Sequence, residues 1–151
     1  ETYEEGVEEE ELLEEGLEEV DRELPDVLKD DPELIRLASE AGSLYTIYFD
    51  YDSHTINKTF LDTIKKNAHW MKSNPFTSII LEGHADERGS NEYNLALSQR
   101  RAMSIEKFLV DFGVNGRNLT VLSYGEEKPA NKGHDEASWH ENRRVDIKIL
   151  K

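Results

Sequence analysis

Two residues of this sequence are placed where their side chains could do chemistry together. The stretch Gly83-His84-Ala85-Asp86-Glu87-Arg88-Gly89-Ser90 runs into Asn91-Glu92-Tyr93-Asn94-Leu95-Ala96-Leu97-Ser98-Gln99-Arg100-Arg101-Ala102. Asp86 falls just past the carboxyl end of an expected strand, where open sheets that mix strands and helices present their ligand crevices. Arg101 falls on the helix expected next, seven residues beyond Asn94 and four beyond Leu97, offsets that set all three along one face. One carboxylate and one guanidinium held a few ångströms apart, with no nucleophile between them, suit a zwitterion that carries an ammonium and a carboxylate. Plainer readings stand beside this one. Asp86 also fits a turn residue after a strand, and Arg101 a solvated helix arginine or a partner for Glu87 or Glu106.

Other chemistries find less footing. His84 with Asp86, or His134, Asp135 and His140, lack the close helical histidine pair of a metal hydrolase, so no metal site is expected. Ser90 and Ser98 lack the glycine-flanked elbow that exposes a nucleophile. Gly83, Gly89, Gly113 and Gly125 are too scattered for a phosphate-binding loop. The chain has no cysteine, which removes disulfides, thiolate metal sites and cysteine nucleophiles. No catalytic residue and no cofactor is expected.

The elements that must position Asp86 and Arg101 are legible from residue 44 onward. Leu44 to Phe49 is β-branched and aromatic and predicts a strand. Leu61, Ile64, Ala68 and Met71 form one apolar stripe and predict a helix from about Asn57 to Ser73, ended by Asn74-Pro75. Thr77 to Glu82 predicts a second strand, whose run Ile79-Ile80-Leu81 suggests a sheet covered on both faces. A helix follows from about Asn91 to Phe112, with Ser90 as N-cap, Ala102, Ile105, Leu109 and Phe112 as core stripe, and Gly113 as stop. Leu119 to Ser123 predicts a third strand. A long turn containing Gly125, Pro129 and Gly133 leads to a last strand, Arg144 to Leu150, with Val145, Ile147 and Ile149 facing inward. The order is βαβαββ, which predicts an α+β domain over residues 44–151 with a small mixed sheet packed against two main helices.

Residues 1–43 differ in character. They hold 18 of the 33 acidic side chains and 3 of the 18 basic ones, so they carry the whole net charge of −15 and leave a neutral remainder. An acidic arm on a neutral domain argues against duplex nucleic acid, whose binding rests on lysine and arginine. Val7, Leu12, Leu13, Leu17, Val20 and Leu24 fall at loosely helical spacing; the arm reads as a solvated, self-repelling segment, or as a stripe that docks on a partner or on the domain. Pro25 and Pro32 interrupt any continuous helix, and a short one is expected from Pro32 to about Ala41, ahead of Gly42 and Ser43. No apolar run approaches the ~18–20 residues needed to cross a bilayer.

With these residues in view, the stretch from Gly83 to Ala102 resembles the signature of the OmpA C-terminal family, in the form typical of its peptidoglycan-associated lipoprotein branch. Phe49-Asp50-Tyr51-Asp52-Ser53 is similar to the family's first-strand exit. Ser123-Tyr124-Gly125-Glu126-Glu127-Lys128-Pro129 and Asn142-Arg143-Arg144-Val145 are similar to its closing segments. The resemblance spans residues 45–150 and keeps motif order and spacing.

It implies the family's βαβαββ sandwich and a non-catalytic protein that binds peptidoglycan. Asp86 would hold the ammonium, and Arg101 the carboxylate, at the free end of the diaminopimelate side chain of the stem peptide. Asn94 would hydrogen-bond the ligand, Leu97 would cover its aliphatic stem, and Tyr51, Asp52 and Arg143 would line the rim. The implied setting is the periplasm, with attachment to the outer membrane through a lipid anchor that this chain does not carry and with a TolB-like β-propeller protein as partner. Two departures stand out: Ala85 replaces the family's usual threonine, and the glutamate-rich arm is unlike its usual small-residue tether. A protein-interaction module of the cell envelope and a wall-acting hydrolase are the alternative classes.

Overall fold

A computed structural model describes residues 31–150; the leucine stripe of the acidic arm lies outside the described residues. Helix α1 (Pro32–Arg36) opens on Asp31, whose side chain accepts from the Glu33 and Leu34 amides, and it continues as a π-helical turn, Leu37–Ala41, stopped by Gly42 at φ 68°. The short helix expected here is therefore present, and it packs. Leu34 and Ala38 are buried in the common core, while Tyr45 Oη donates to Asp31 and Lys66 Nζ pairs with it at 3.2 Å. The boundary expected between residues 43 and 44 thus does not coincide with an edge of the core.

The first strand is shorter than its composition suggests. Only Ile47–Tyr48 (β1) pairs formally, antiparallel to the last strand. Leu44 N–H and Phe49 N–H still donate to the Ile147 and Arg143 carbonyls at 2.8 Å each. Between these points the Asn67 side chain takes the place of a strand partner. It accepts from Tyr45 N–H at 3.1 Å and donates to Tyr45 C=O at 2.9 Å, so the backbone at Tyr45 is satisfied from a helix instead.

That helix begins as a 3₁₀ turn, Lys58–Phe60, capped by Asn57, and becomes α2 over Leu61–Ser73. Strand β2 is Ser78–Gly83, α3 is Asn91–Asp111, and β3 is Leu119–Ser123. A further helix, α4 (Glu136–Asn142), interrupts what the sequence suggested was only a long turn before β4 (Arg144–Leu150). It has no apolar stripe to betray it, and the Asp135 side chain starts it by accepting from Ser138 N–H.

The strands form one mixed sheet in the order β1-β4-β2-β3, with β2 parallel to β3 and antiparallel to β4. Ile79, Leu81, Val145 and Ile147 share one core with Ile64 and Ala68 of α2 and Ala102, Ile105 and Leu109 of α3. Because both long helices cover the same face, Ile80 stays only half-buried, and the expectation of a sheet covered on both faces is corrected. On the outer face His84 is buried, stacked on Tyr124 with ring centroids 5.4 Å apart. Burial, and then the charge of Arg144, lower its pKa to about 4, so the ring is neutral at neutral pH.

Helix α3 approaches β2 where Gly83 has no side chain. A Cβ there would lie 1.9 Å from the Ser98 carbonyl oxygen, which is backbone and cannot swing away. Gly83→Ala is expected to cost about 2–3 kcal/mol through forced displacement of α3, read as a lowered denaturation midpoint. Leu34→Ala is expected to cost about 2–4 kcal/mol, the range for a truncated core leucine. An unchanged midpoint for the second variant would show that α1 is not part of the cooperative unit.

Candidate functional site

The site is built where three pieces of chain meet: the turn after β1, the loop after β2, and the first turns of α3. Ser90 caps α3 by accepting from Tyr93 N–H at 3.1 Å, which fixes the helix start beside the Asp86 loop. In the turn after β1, Asp52 adopts φ 54°, a left-handed conformation that aspartate tolerates better than most residues, and Tyr93 Oη donates to its carboxylate.

Arg101 is fully buried. Its Nε donates to the Ser53 carbonyl at 2.7 Å, Nη1 to the His84 carbonyl at 3.0 Å and Nη2 to the Asp50 carbonyl at 3.1 Å. The guanidinium therefore binds the turn after β1 to the end of β2. It makes no pair with Glu87 or Glu106 among the described residues. Burial lowers its pKa to about 10, offset in part by the charge of Asp86, and it stays protonated at neutral pH. These bonds occupy three of an arginine's five N–H groups.

Asp86 is 5% exposed and serves as a turn residue as well as a fixed anion: its Oδ1 accepts from Arg88 N–H at 2.9 Å. The Arg88 side chain returns to the same carboxylate, with Nη2 at 2.9 Å from Oδ2 and Nε at 3.3 Å from Oδ1. Burial alone would raise the Asp86 pKa. The hydrogen bonds from Arg88 and the charges of Arg88 and Arg143 outweigh it and hold the carboxyl below its ordinary range. Arg88 is itself clamped flat, 4.0 Å from the Tyr51 ring centroid and 4.1 Å from that of Trp139. Glu87 steadies the clamp by accepting from Trp139 Nε1 at 2.8 Å.

Tyr51, Asp52, Asp86, Asn94, Leu97 and Arg101 all line one cavity of about 160 Å³. Arg143 does not line it. It stands behind Asp86, with Nη1 3.6 Å from Oδ2, while Nε donates to the Phe49 carbonyl at 3.0 Å and Nη2 to Glu136 at 3.0 Å. The neighbouring Arg144 fastens β4 locally, its Nε 3.0 Å from Asp146 Oδ2. Asn94 is buried, and its side-chain N–H donates to Glu126 at 2.6 Å.

Arg88, Gly89 and Tyr93 also line the cavity, and sequence reasoning passed over them. The two-residue spacing of Asp86 and Arg88 was a visible signal for their pairing; the aromatic clamp, assembled from Tyr51 and Trp139, had none. An ammonium can meet Asp86 only by sharing an oxygen with Arg88 or by displacing it.

Residues 48–143 match the OmpA family. The chain is 42% identical over 114 residues to a peptidoglycan-associated lipoprotein of Pseudomonas aeruginosa, covering 74% of this chain and 67% of that one. It is 45% identical over 99 residues to the protein of the same name from Legionella pneumophila, covering 66% of this chain and 56% of that relative. The match thus spans only part of the relatives' own length. Among solved structures, the peptidoglycan-associated lipoprotein from Burkholderia pseudomallei is similar at a TM-score of 0.68 and 41% identity, over 70% of this chain and 89% of that one. The C-terminal domain of Helicobacter pylori MotB shares the fold at a TM-score of 0.67 and 24% identity, over 72% and 85% of the two chains. With the family matched across both strands and helices that build the cavity, and with relatives of this identity, the chain belongs to the OmpA family.

Proposed function

We propose that the chain binds peptidoglycan without catalysis, by gripping the zwitterionic tip of a diaminopimelate side chain. The observation that carries the reading is the convergence of Asp86, Asn94, Leu97 and Arg101 on one small cavity from a loop and a helix. The relatives' name, peptidoglycan-associated lipoprotein, supports the same ligand. Arg101 would give its remaining N–H groups to the ligand carboxylate, and Asp86 would take the ammonium. Asn94 would accept from the ligand, and Leu97 would cover the methylene stem. Tyr51 and Asp52 would form the rim, while Arg143 would act from behind by holding Asp86 in place.

Hydrolysis fits less well. A glycosidase acting on the wall needs a carboxylic acid with a raised pKa to protonate its leaving group, and Asp86 is shifted the other way. Affinity for a single tip should be modest, because the ligand must compete with Arg88 for Asp86 and the epitope is small. Many copies on a polymer would hold firmly. In this setting the protein would work in the periplasm as a link between wall and outer membrane, with a lipid anchor and a Tol-system β-propeller as further partners.

Stem peptide ending in diaminopimelate should bind roughly 10-fold or more tightly than one ending in lysine, since a charged hydrogen bond contributes about 1.5–3 kcal/mol. Asp86→Asn should reduce retention on purified sacculi, whereas Phe76→Ser, at an exposed position outside the cavity, should leave it unchanged. Equal affinity for the two peptides would defeat the assignment to the zwitterionic tip. Unaltered retention of a folded Asp86→Asn variant would defeat the assignment of this cavity.

A further inference from the structure

A second polar cluster lies on the sheet face turned away from the helices. Glu82 of β2 and Asp146 of β4 are direct cross-strand partners, an arrangement that sets two like charges against each other. His84 follows on the same face. Its Nε2 lies 3.6 Å from Asp146 Oδ2 and 3.9 Å from Glu82 Oε1, too far for hydrogen bonds, and one ligand atom from each of the three residues falls within 4.8 Å of the others. His84 is only 2% exposed, yet neither of its ring nitrogens has a hydrogen-bond partner. Buried polar atoms in native proteins are nearly always satisfied, so an imidazole aimed between two carboxylates without bonding either asks for a third party.

One divalent cation meets all of these conditions. It would separate the opposed carboxylates and give the imidazole nitrogen a partner. An imidazole nitrogen with two carboxylate oxygens is a donor set suited to zinc, with a fourth position for water; magnesium and calcium favour oxygen alone. The side chains are already arranged for it. Tetrahedral zinc holds its ligand atoms about 3.3–3.4 Å apart, so Glu82 and Asp146, both partly exposed, would close on His84 Nε2 from 3.9 Å and 3.6 Å. Tyr124 stacks on the His84 ring and fixes its plane.

Positive charge opposes the cation and limits its affinity. Arg144 Nε holds both oxygens of Asp146, at 3.2 Å and 3.0 Å, and Thr46 Oγ1 donates to Oδ1 at 3.1 Å. A metal would therefore bind Asp146 through Oδ2 and share the carboxylate with Arg144. We propose that Glu82, His84 and Asp146 form a zinc-binding site that fastens β2 to β4 on the outer face of the sheet.

The test is a titration of zinc sulfate into the full chain, cleared of metal by chelator and labelled with ¹⁵N in its histidines. The site predicts a shift of the His84 Nε2 resonance that saturates at one equivalent. Glu82→Gln and Asp146→Asn should each weaken that binding by about tenfold or more, and magnesium should leave the resonance in place. Glu82 is partly exposed, so its variant should retain the circular dichroism spectrum of the parent. Zinc uptake that leaves His84 unmoved would place the metal on surface histidines or on the acidic arm and overturn the proposal. Unchanged affinity in Glu82→Gln would overturn it equally.

Discussion

The structure depends on where the Arg101 guanidinium goes. A fully buried positive charge is costly unless its donors are met, and here three of them reach backbone carbonyls of Asp50, Ser53 and His84. Those bonds close the turn after β1 onto the end of β2, so the walls of the cavity are set by the same residue that lines its floor. Each charged hydrogen bond of this kind contributes about 1.5–3 kcal/mol, and removal of the donor would leave three carbonyls without it. A lysine could not replace it, because a single ammonium cannot reach three acceptors spread across the plane of a guanidinium. Under the proposed function, a turn held in this way would lower the ordering cost of binding.

Asp86 is held differently. Its partner Arg88 is exposed enough to move and is gripped by rings rather than by further carboxylates at close range. Helix α4 supplies Trp139 to that grip, and Glu136 of the same helix holds Arg143 behind Asp86. The short helix ahead of β4 is thus part of the site's support, although none of its residues lines the cavity. One charge of the pair is locked into the fold and the other is counterbalanced by a side chain that can yield. A ligand tip with both charges would be oriented by the first and would exchange with Arg88 at the second.

Much of this was legible in the sequence because local physics and the fold agree. Helix α3 begins at Asn91 as expected since Ser90 caps it, and it ends ahead of Gly113 since that glycine adopts φ 112°. Asp86, Asn94, Leu97 and Arg101 share a cavity because spacing on α3 and position after β2 are one-dimensional facts. What escaped depended on contacts between residues remote in sequence. Asn67 substitutes for a strand at Tyr45, Trp139 stacks on Arg88, and Asp146 meets Glu82 across two strands. The resemblance implied Arg143 at the rim, but its guanidinium turns inward to the Phe49 carbonyl. Ile80 sits in an apolar run, and nothing in that run says that both helices pack on one side.

A crystal structure of the chain with a tripeptide stem ending in diaminopimelate would show directly what Arg101 holds. The side-chain carboxylate should lie on the remaining N–H groups of Arg101 and the ammonium on Asp86, with the bonds from Arg101 to the Ser53, His84 and Asp50 carbonyls intact. A peptide seated elsewhere, or an Arg101 drawn away from those carbonyls to reach it, would contradict the claim that one buried guanidinium both builds the cavity and reads the ligand.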